Sequence, residues 1–145
     1  MKQAFRFEDS FGRILGLAHM AMFRHLSALM KEHDLPITPD QFRVINHLWQ
    51  KDGLHQSELA VCSNRNRANV TRIIDILERE GLVERRDDEA DRRVFRIYLT
   101  EKGKSIKEDT AKCAAQSIED ALEGLSEEEI AICTKVLLKI KANVG

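Results

Sequence analysis

Between Gln56 and Thr100 the chain reads as helix, helix, strand, charged turn, strand, and this order narrows the choice of fold more than any other stretch. Gln56 to Cys62 is a short helix with Leu59 and Ala60 as its core contacts, and Asn64 to Asn66 is a turn of residues that tolerate left-handed geometry. From Arg67 to Glu80 the apolar residues Val70, Ile73, Ile74 and Leu77 recur at helical spacing, and Gly81 suits the C′ position. Leu82 to Arg86 and Val94 to Leu99 are β-prone, and between them lies a polar run, Asp87 to Arg93, too long for a two-residue hairpin turn.

The flanks are helical. Ser10 to His33 carries Phe11, Ile14, Leu15, Ala18, Met22, Leu26, Leu29 and Met30 on one helical stripe that Leu35-Pro36 ends. Thr38, Pro39 and Gln41 take the N-cap, N1 and capping-box positions of a further helix that buries Phe42, Ile45, Leu48 and Trp49 and closes at Asp52-Gly53. Thr100 caps a long helix to about Leu122, and Ser126 with Glu129 starts a last helix that ends near Ala142. The expected fold class is therefore mostly α with a small β-hairpin wing: a winged helix-turn-helix lobe over residues 36–100, flanked by helical regions 1–35 and 101–145, in one domain of 145 residues.

No apolar run approaches the ~20 residues needed to cross a bilayer, and Met1 to Phe5 lack a signal-peptide core. Three widely spaced cysteines, Cys62, Cys113 and Cys133, with no CxxC argue against a disulfide framework and for the cytoplasm. Buried packing is expected of all three. The five histidines form no HxxxH pair or tight cluster with cysteine, so no metal and no cofactor is expected. Nor is there a phosphate loop, a GxSxG, an HExxH or a nucleophile–base pair, which points away from an enzyme.

Charge is uneven. The net charge is −1, yet nine of the arginines and no lysine fall between Gln56 and Thr100, and only Arg6, Arg13, Arg24 and Arg43 lie elsewhere. Arginine presents a flat, permanently charged fork that grips phosphates and reads guanine edges. In a helix-turn-helix the second helix enters the major groove, so Arg67, Ala68, Asn69, Thr71 and Arg72 are the expected base readers, with Arg65 and Asn66 of the turn beside the backbone. Arg92 and Arg93 at the hairpin tip would reach the minor groove. Acids in the same stretch nearly balance the arginines, and two readings stay open: a reader of double-stranded DNA, or a winged-helix module that binds another protein. The blander account of the arginines is a face of salt bridges, Asp75 with Arg72 or Arg79 and Asp91 with Arg93.

The terminal segments carry more apolar helix than a small lobe can cover: Phe5, Phe7, Phe11 and Ile14 at one end, and Ile118, Leu122, Val136, Leu137 and Ile140 at the other. A homodimer interface is the expectation, and two-fold symmetry would match half-sites about 34 Å apart.

Taken in order, Leu59-Ala60, Val70-Thr71-Arg72, Gly81-Leu82-Val83, and Asp91-x-Arg93 nine residues before Thr100 resemble the MarR family of bacterial transcription regulators, over roughly Ser10 to Ala142. The resemblance implies a triangular homodimer with interlocked first and last helices. It also implies pseudo-palindromic promoter DNA as partner, and repression released by a small effector or an oxidant. Carried onto this chain, Arg67 to Arg72 fall on the recognition helix, Asp91 on the acid that orients the wing, and Arg93 on the minor-groove arginine. The chain departs from the family pattern at Ser63, Asn64 and Arg65, where apolar residues and glycine are usual, and at His55, where a Ser or Thr cap is usual. The more basic turn implies extra phosphate contacts from Arg65.

Overall fold

The computed structural model describes residues 6–145, so the Phe5 expectation lies outside the described residues. The elements run α1 (Phe11–Glu32), α2 (Pro39–Gln50), β1 (Leu54–His55), α3 (Gln56–Cys62), α4 (Arg67–Arg79), β2 (Val83–Asp87), β3 (Phe95–Leu99), α5 (Glu101–Ser105), α6 (Lys107–Leu122) and α7 (Glu127–Val144).

The helix starts follow side-chain chemistry. Ser10 Oγ accepts the Arg13 N–H (3.3 Å) at the head of α1. Thr38 and Gln41 exchange reciprocal bonds of 3.3 and 3.1 Å at the head of α2, satisfying two donors the helix itself leaves open. Ser126 and Glu129 do the same for α7. Asn64 sits at φ +53°, the left-handed turn expected of it between α3 and α4.

Three expectations were incomplete. The sheet has three strands in the order β1-β3-β2, all antiparallel, not two. β1 is only Leu54 and His55, and two residues cannot display a period-2 pattern. The helix expected from Thr100 to Leu122 is broken at Ile106, whose φ −88°, ψ −4° separates α5 from α6. The break lets α5 lie against the strand entry: Thr100 Oγ1 donates to the Gly81 carbonyl (2.6 Å) and Trp49 Nε1 to the Gly103 carbonyl (2.9 Å). Finally, Cys113 is buried but Cys62 and Cys133 are exposed. Cys62 is the last residue of the short α3, beyond its buried pair Leu59 and Ala60, and α7 buries none of its residues.

One continuous core joins α2, α3, α4 and the sheet through Val44, Ile45, Leu48, Leu59, Val70, Ile73, Ile74, Leu77, Leu82 and Ile97. Burial of each large side chain contributes roughly 1.5–3 kcal/mol, enough to make this lobe a rigid platform for α4 and the hairpin. A second layer pairs α1 with α6, where Met30 and Cys113 are buried and His25 Nε2 donates to Asp120 Oδ2 (2.7 Å). Burial, with Asp109 nearby, pushes the Cys113 thiol pKa up. That holds it as an unreactive thiol. No helix among the described residues is long and apolar enough to cross a membrane.

Candidate nucleic-acid interface

The second helix of the motif is α4, and its sequence divides it lengthwise. Val70, Ile73, Ile74 and Leu77 turn inward, which leaves Arg67, Ala68 and Arg72 exposed on the opposite face and Asn69 and Thr71 half-buried at its edges. Asn66 caps the helix through Oδ1 to the Asn69 N–H (2.8 Å). There is no acid in the first turn. No acid of the first turn therefore offsets the partial positive charge of the helix N-terminus, where Arg67 is also placed.

The hairpin stands beside this helix. Register pairs Arg86 with Arg96 and Asp87 with Phe95, and the loop from Asp88 to Val94 projects beyond the last paired rung. At its tip Arg93 is 91% exposed and held by Asp91, which accepts from Arg93 Nε (3.1 Å), from Nη2 (3.4 Å) and from the Arg93 backbone N–H (3.0 Å). The Arg93 side chain, then its backbone N–H, hold the Asp91 carboxyl below the usual carboxylate range. An aimed, water-exposed guanidinium with a fixed stem is what entry into a narrow groove requires.

α4 and the wing enclose a cleft of about 260 Å³ lined by His55, Gln56, Ser57, Arg67, Thr71, Arg93, Val94 and Phe95. It brings three of the sequence-predicted residues, Arg67, Thr71 and Arg93, to one concave surface. The Thr71 hydroxyl is engaged there, donating to the Arg67 carbonyl (2.8 Å) and accepting from Gln56 Nε2 (2.6 Å). The hydroxyl is thus committed within the lobe.

The structure sorts the arginines into two sets. Arg85 is clamped by Asp75 (2.5 Å) and Glu78 (2.9 Å), so Asp75 pairs across to β2 and not with Arg72 or Arg79 on its own helix. Arg86 pairs with Glu84 and lies over the Tyr98 ring (4.4 Å to the centroid). Arg96 bonds Asp88 (2.8 Å) and the Gly53 carbonyl (2.9 Å). Arg65, expected beside phosphates, is drawn inward: it bridges Asp40 of α2 (2.6 Å) and Asn69 of α4 (3.0 Å) and is 17% exposed. In this position it braces the turn and orients the Asn69 amide. Arg67, Arg72, Arg79 and Arg92 make no ion pair among the described residues. The salt-bridge account thus holds for the strands and for the Asp91–Arg93 pair, and the unpaired arginines of this stretch are Arg67, Arg72 and Arg79 on α4 and Arg92 at the wing tip, among the described residues.

Sequence reasoning missed the residues that position the wing. Asp88 is buried at the hairpin's base, where it accepts from His55 Nε2 (2.6 Å), Arg96 Nε (2.8 Å) and the N–H groups of Ala90 (2.8 Å) and Asp91 (3.2 Å). In the sequence it is one acid among Asp87, Asp88, Glu89 and Asp91, and nothing in the spacing sets it apart. Among the described residues no three His, Cys, Asp or Glu side chains gather as metal ligands.

The MarR family model matches residues 37–95, from just before α2 to the first residue of β3. The HTH-type transcriptional regulator YsmB of Bacillus subtilis is 32% identical over 124 residues, covering 81% of this chain and 85% of YsmB. The transcriptional repressor MprA of Escherichia coli is 43% identical over 54 residues, 37% of this chain and 31% of MprA. Among solved structures, a mutant of Escherichia coli MarR complexed with operator DNA superposes with a TM-score of 0.85 over 96% of this chain and 99% of that one, at 24% identity. A match to YsmB along most of both chains, with the family model lying over the helix-turn-helix and wing just described, makes this chain a member of the MarR family of transcriptional regulators.

Proposed function

We propose that the chain is a homodimeric, sequence-specific DNA-binding regulator that represses transcription from pseudo-palindromic promoter sites in the cytoplasm and is released by a small effector. The observation that carries this reading is the concentration of exposed arginine: Arg67 and Arg72, without ion pairs among the described residues, on the open face of α4, and Arg93, 91% exposed and held by Asp91, on the wing beside it. In this reading residues 36–100 form the DNA-binding lobe, and residues 1–35 and 101–145 form the dimerisation region.

The dimer is supported by uncovered apolar surface. No residue of α7 is buried, and Phe11, Ile14, Ile118, Val136 and Leu137 are exposed, with Leu122 and Ile140 half-buried. Patches of this kind mark association surfaces. The effector is supported by a cavity of about 270 Å³ where α1, α2 and α6 meet, lined by His19, Met22, Phe23, Leu26, Phe42, Arg43 and Ile118 among others. A molecule bound there would act by preferring one spacing of the two recognition helices, and could lower DNA affinity only by its differential affinity for the two states. Repression is supported by the likeness of a 54-residue segment to the repressor MprA.

Asn69→Ala and Arg72→Ala test the assignment of base readers. Each is expected to lose about 1–3 kcal/mol of discrimination at one position of the site when binding is compared across a panel of single-base-substituted duplexes. A loss of equal size on every duplex would remove these residues from the readout and leave them as phosphate contacts.

A further inference from the structure

At the base of the wing one buried carboxylate meets one imidazole. Asp88 is 5% exposed. Its Oδ1 accepts from the Ala90 and Asp91 N–H groups (2.8 and 3.2 Å), which shapes the turn that carries Arg92 and Arg93. Its Oδ2 accepts from His55 Nε2 (2.6 Å) and Arg96 Nε (2.8 Å). His55 immediately precedes α3, where its backbone N–H donates to Glu58 Oε2 (2.8 Å). The same Glu58 oxygen lies 3.8 Å from His55 Nδ1, so each ring nitrogen faces a carboxylate. The ring is also a wall of the cleft that Arg67 and Arg93 line.

We propose that His55 is a positioning residue of the DNA interface: it clamps the wing to the first helix of the helix-turn-helix through Asp88, and protonation of its ring tightens DNA binding. The inference rests on the DNA-binding reading above. A neutral ring carrying its proton on Nε2 keeps one hydrogen bond to Asp88. The protonated ring adds ion-pair attraction to a bond that the ionised Asp88 already makes charge-assisted, and places a second N–H on the side of Glu58. The charged groups facing the ring are Asp88 at the wing's base and Glu58 on α3, which favour its charge, and Arg96 on β3, Arg67 on α4 and Arg93 on the wing, which oppose it. Phosphates docked against the cleft would offset those three arginines. DNA binding is then accompanied by proton uptake. Asp88 stays ionised throughout the range in which imidazoles titrate, because the His55 bond first, and then the Ala90 N–H, Arg96 and the Asp91 N–H, hold its carboxyl far below the usual carboxylate range.

The test compares wild type with His55→Gln, whose amide still offers Asp88 a donor but does not titrate. Affinity for a specific duplex is measured at pH 6 and pH 8, at constant ionic strength. Wild-type affinity should rise about three- to tenfold more than that of the variant as pH falls, since one linked proton changes affinity by at most about tenfold per pH unit. Two proteins that bind with superimposable pH profiles would overturn the proposal while leaving DNA recognition standing. Absence of binding by wild type at both values would overturn the DNA-binding reading and the inference with it. If the variant does not fold, calorimetry of the wild type in two buffers of different ionisation enthalpy gives an independent reading. Net proton uptake on DNA binding near pH 7 is expected, and no uptake would contradict the clamp.

Discussion

Gly103→Ala is expected to destabilise the fold by about 3 kcal/mol, although alanine is the better helix former by about 1 kcal/mol. A Cβ at this position would stand 2.0 Å from the Leu82 carbonyl oxygen and 3.0 Å from its carbon. These are backbone atoms at the entry to β2, and they cannot rotate aside as a side chain would. To relieve the clash α5 must lift off the strand. That stretches the Thr100 N–H bond to the Leu82 carbonyl (3.1 Å) and the Trp49 Nε1 bond to the Gly103 carbonyl (2.9 Å), which tie α5 to β2 and α2. Thermal unfolding at matched protein concentration checks it, with a fall in Tm of roughly 6–12 °C expected for a chain of this size. An alanine variant as stable as wild type would mean that α5 is not seated against Leu82.

The second large effect falls on binding and leaves stability alone. Arg93→Ala is expected to weaken DNA binding by roughly 1.5–3 kcal/mol per wing, the range for a hydrogen-bonded charge, and in a dimer two wings are lost together. The Arg93 side chain is 91% exposed and its one partner is Asp91, so the melting temperature should stay within about a degree. The loss should be largest on sites whose flanks carry A-tracts, where the narrow minor groove attracts arginine most, and should be reduced on G·C-rich flanks. Asp91→Ala keeps the guanidinium but frees it, and should give a smaller loss in the same direction. Equal affinity of Arg93→Ala and wild type on A-tract duplexes would take the wing out of the interface.

Much of the fold was legible because it is encoded locally. Thr38, Thr100 and Ser126 each cap a helix as their side chains predict, Asn64 takes the left-handed turn, and the Val70-Ile73-Ile74-Leu77 stripe is the buried face of α4. What escaped the sequence depends on partners distant along the chain. β1 exists because Leu54 and His55 meet Ile97 and Arg96 more than forty residues on, and the break at Ile106 exists because α5 must reach Leu82 and Trp49. The interface divides in the same way. Exposure of Arg67 and Arg72 follows from helical periodicity, and the Asp91–Arg93 pair from its spacing. Arg65 turning inward to Asp40, Asp75 reaching Arg85, and Asp88 joining His55 to Arg96 are tertiary ion pairs. Charge composition cannot assign their partners.

The central claim is tested most directly by selecting from random duplex DNA with the purified protein at physiological salt and footprinting what is recovered. A two-fold-symmetric site with half-sites about 34 Å, or one helical turn, apart is the result expected of paired recognition helices. Its flanks should be protected where the wings reach the minor groove. Failure to enrich any sequence, with the protein shown folded and dimeric, would contradict specific DNA recognition and leave a winged helix that binds another protein.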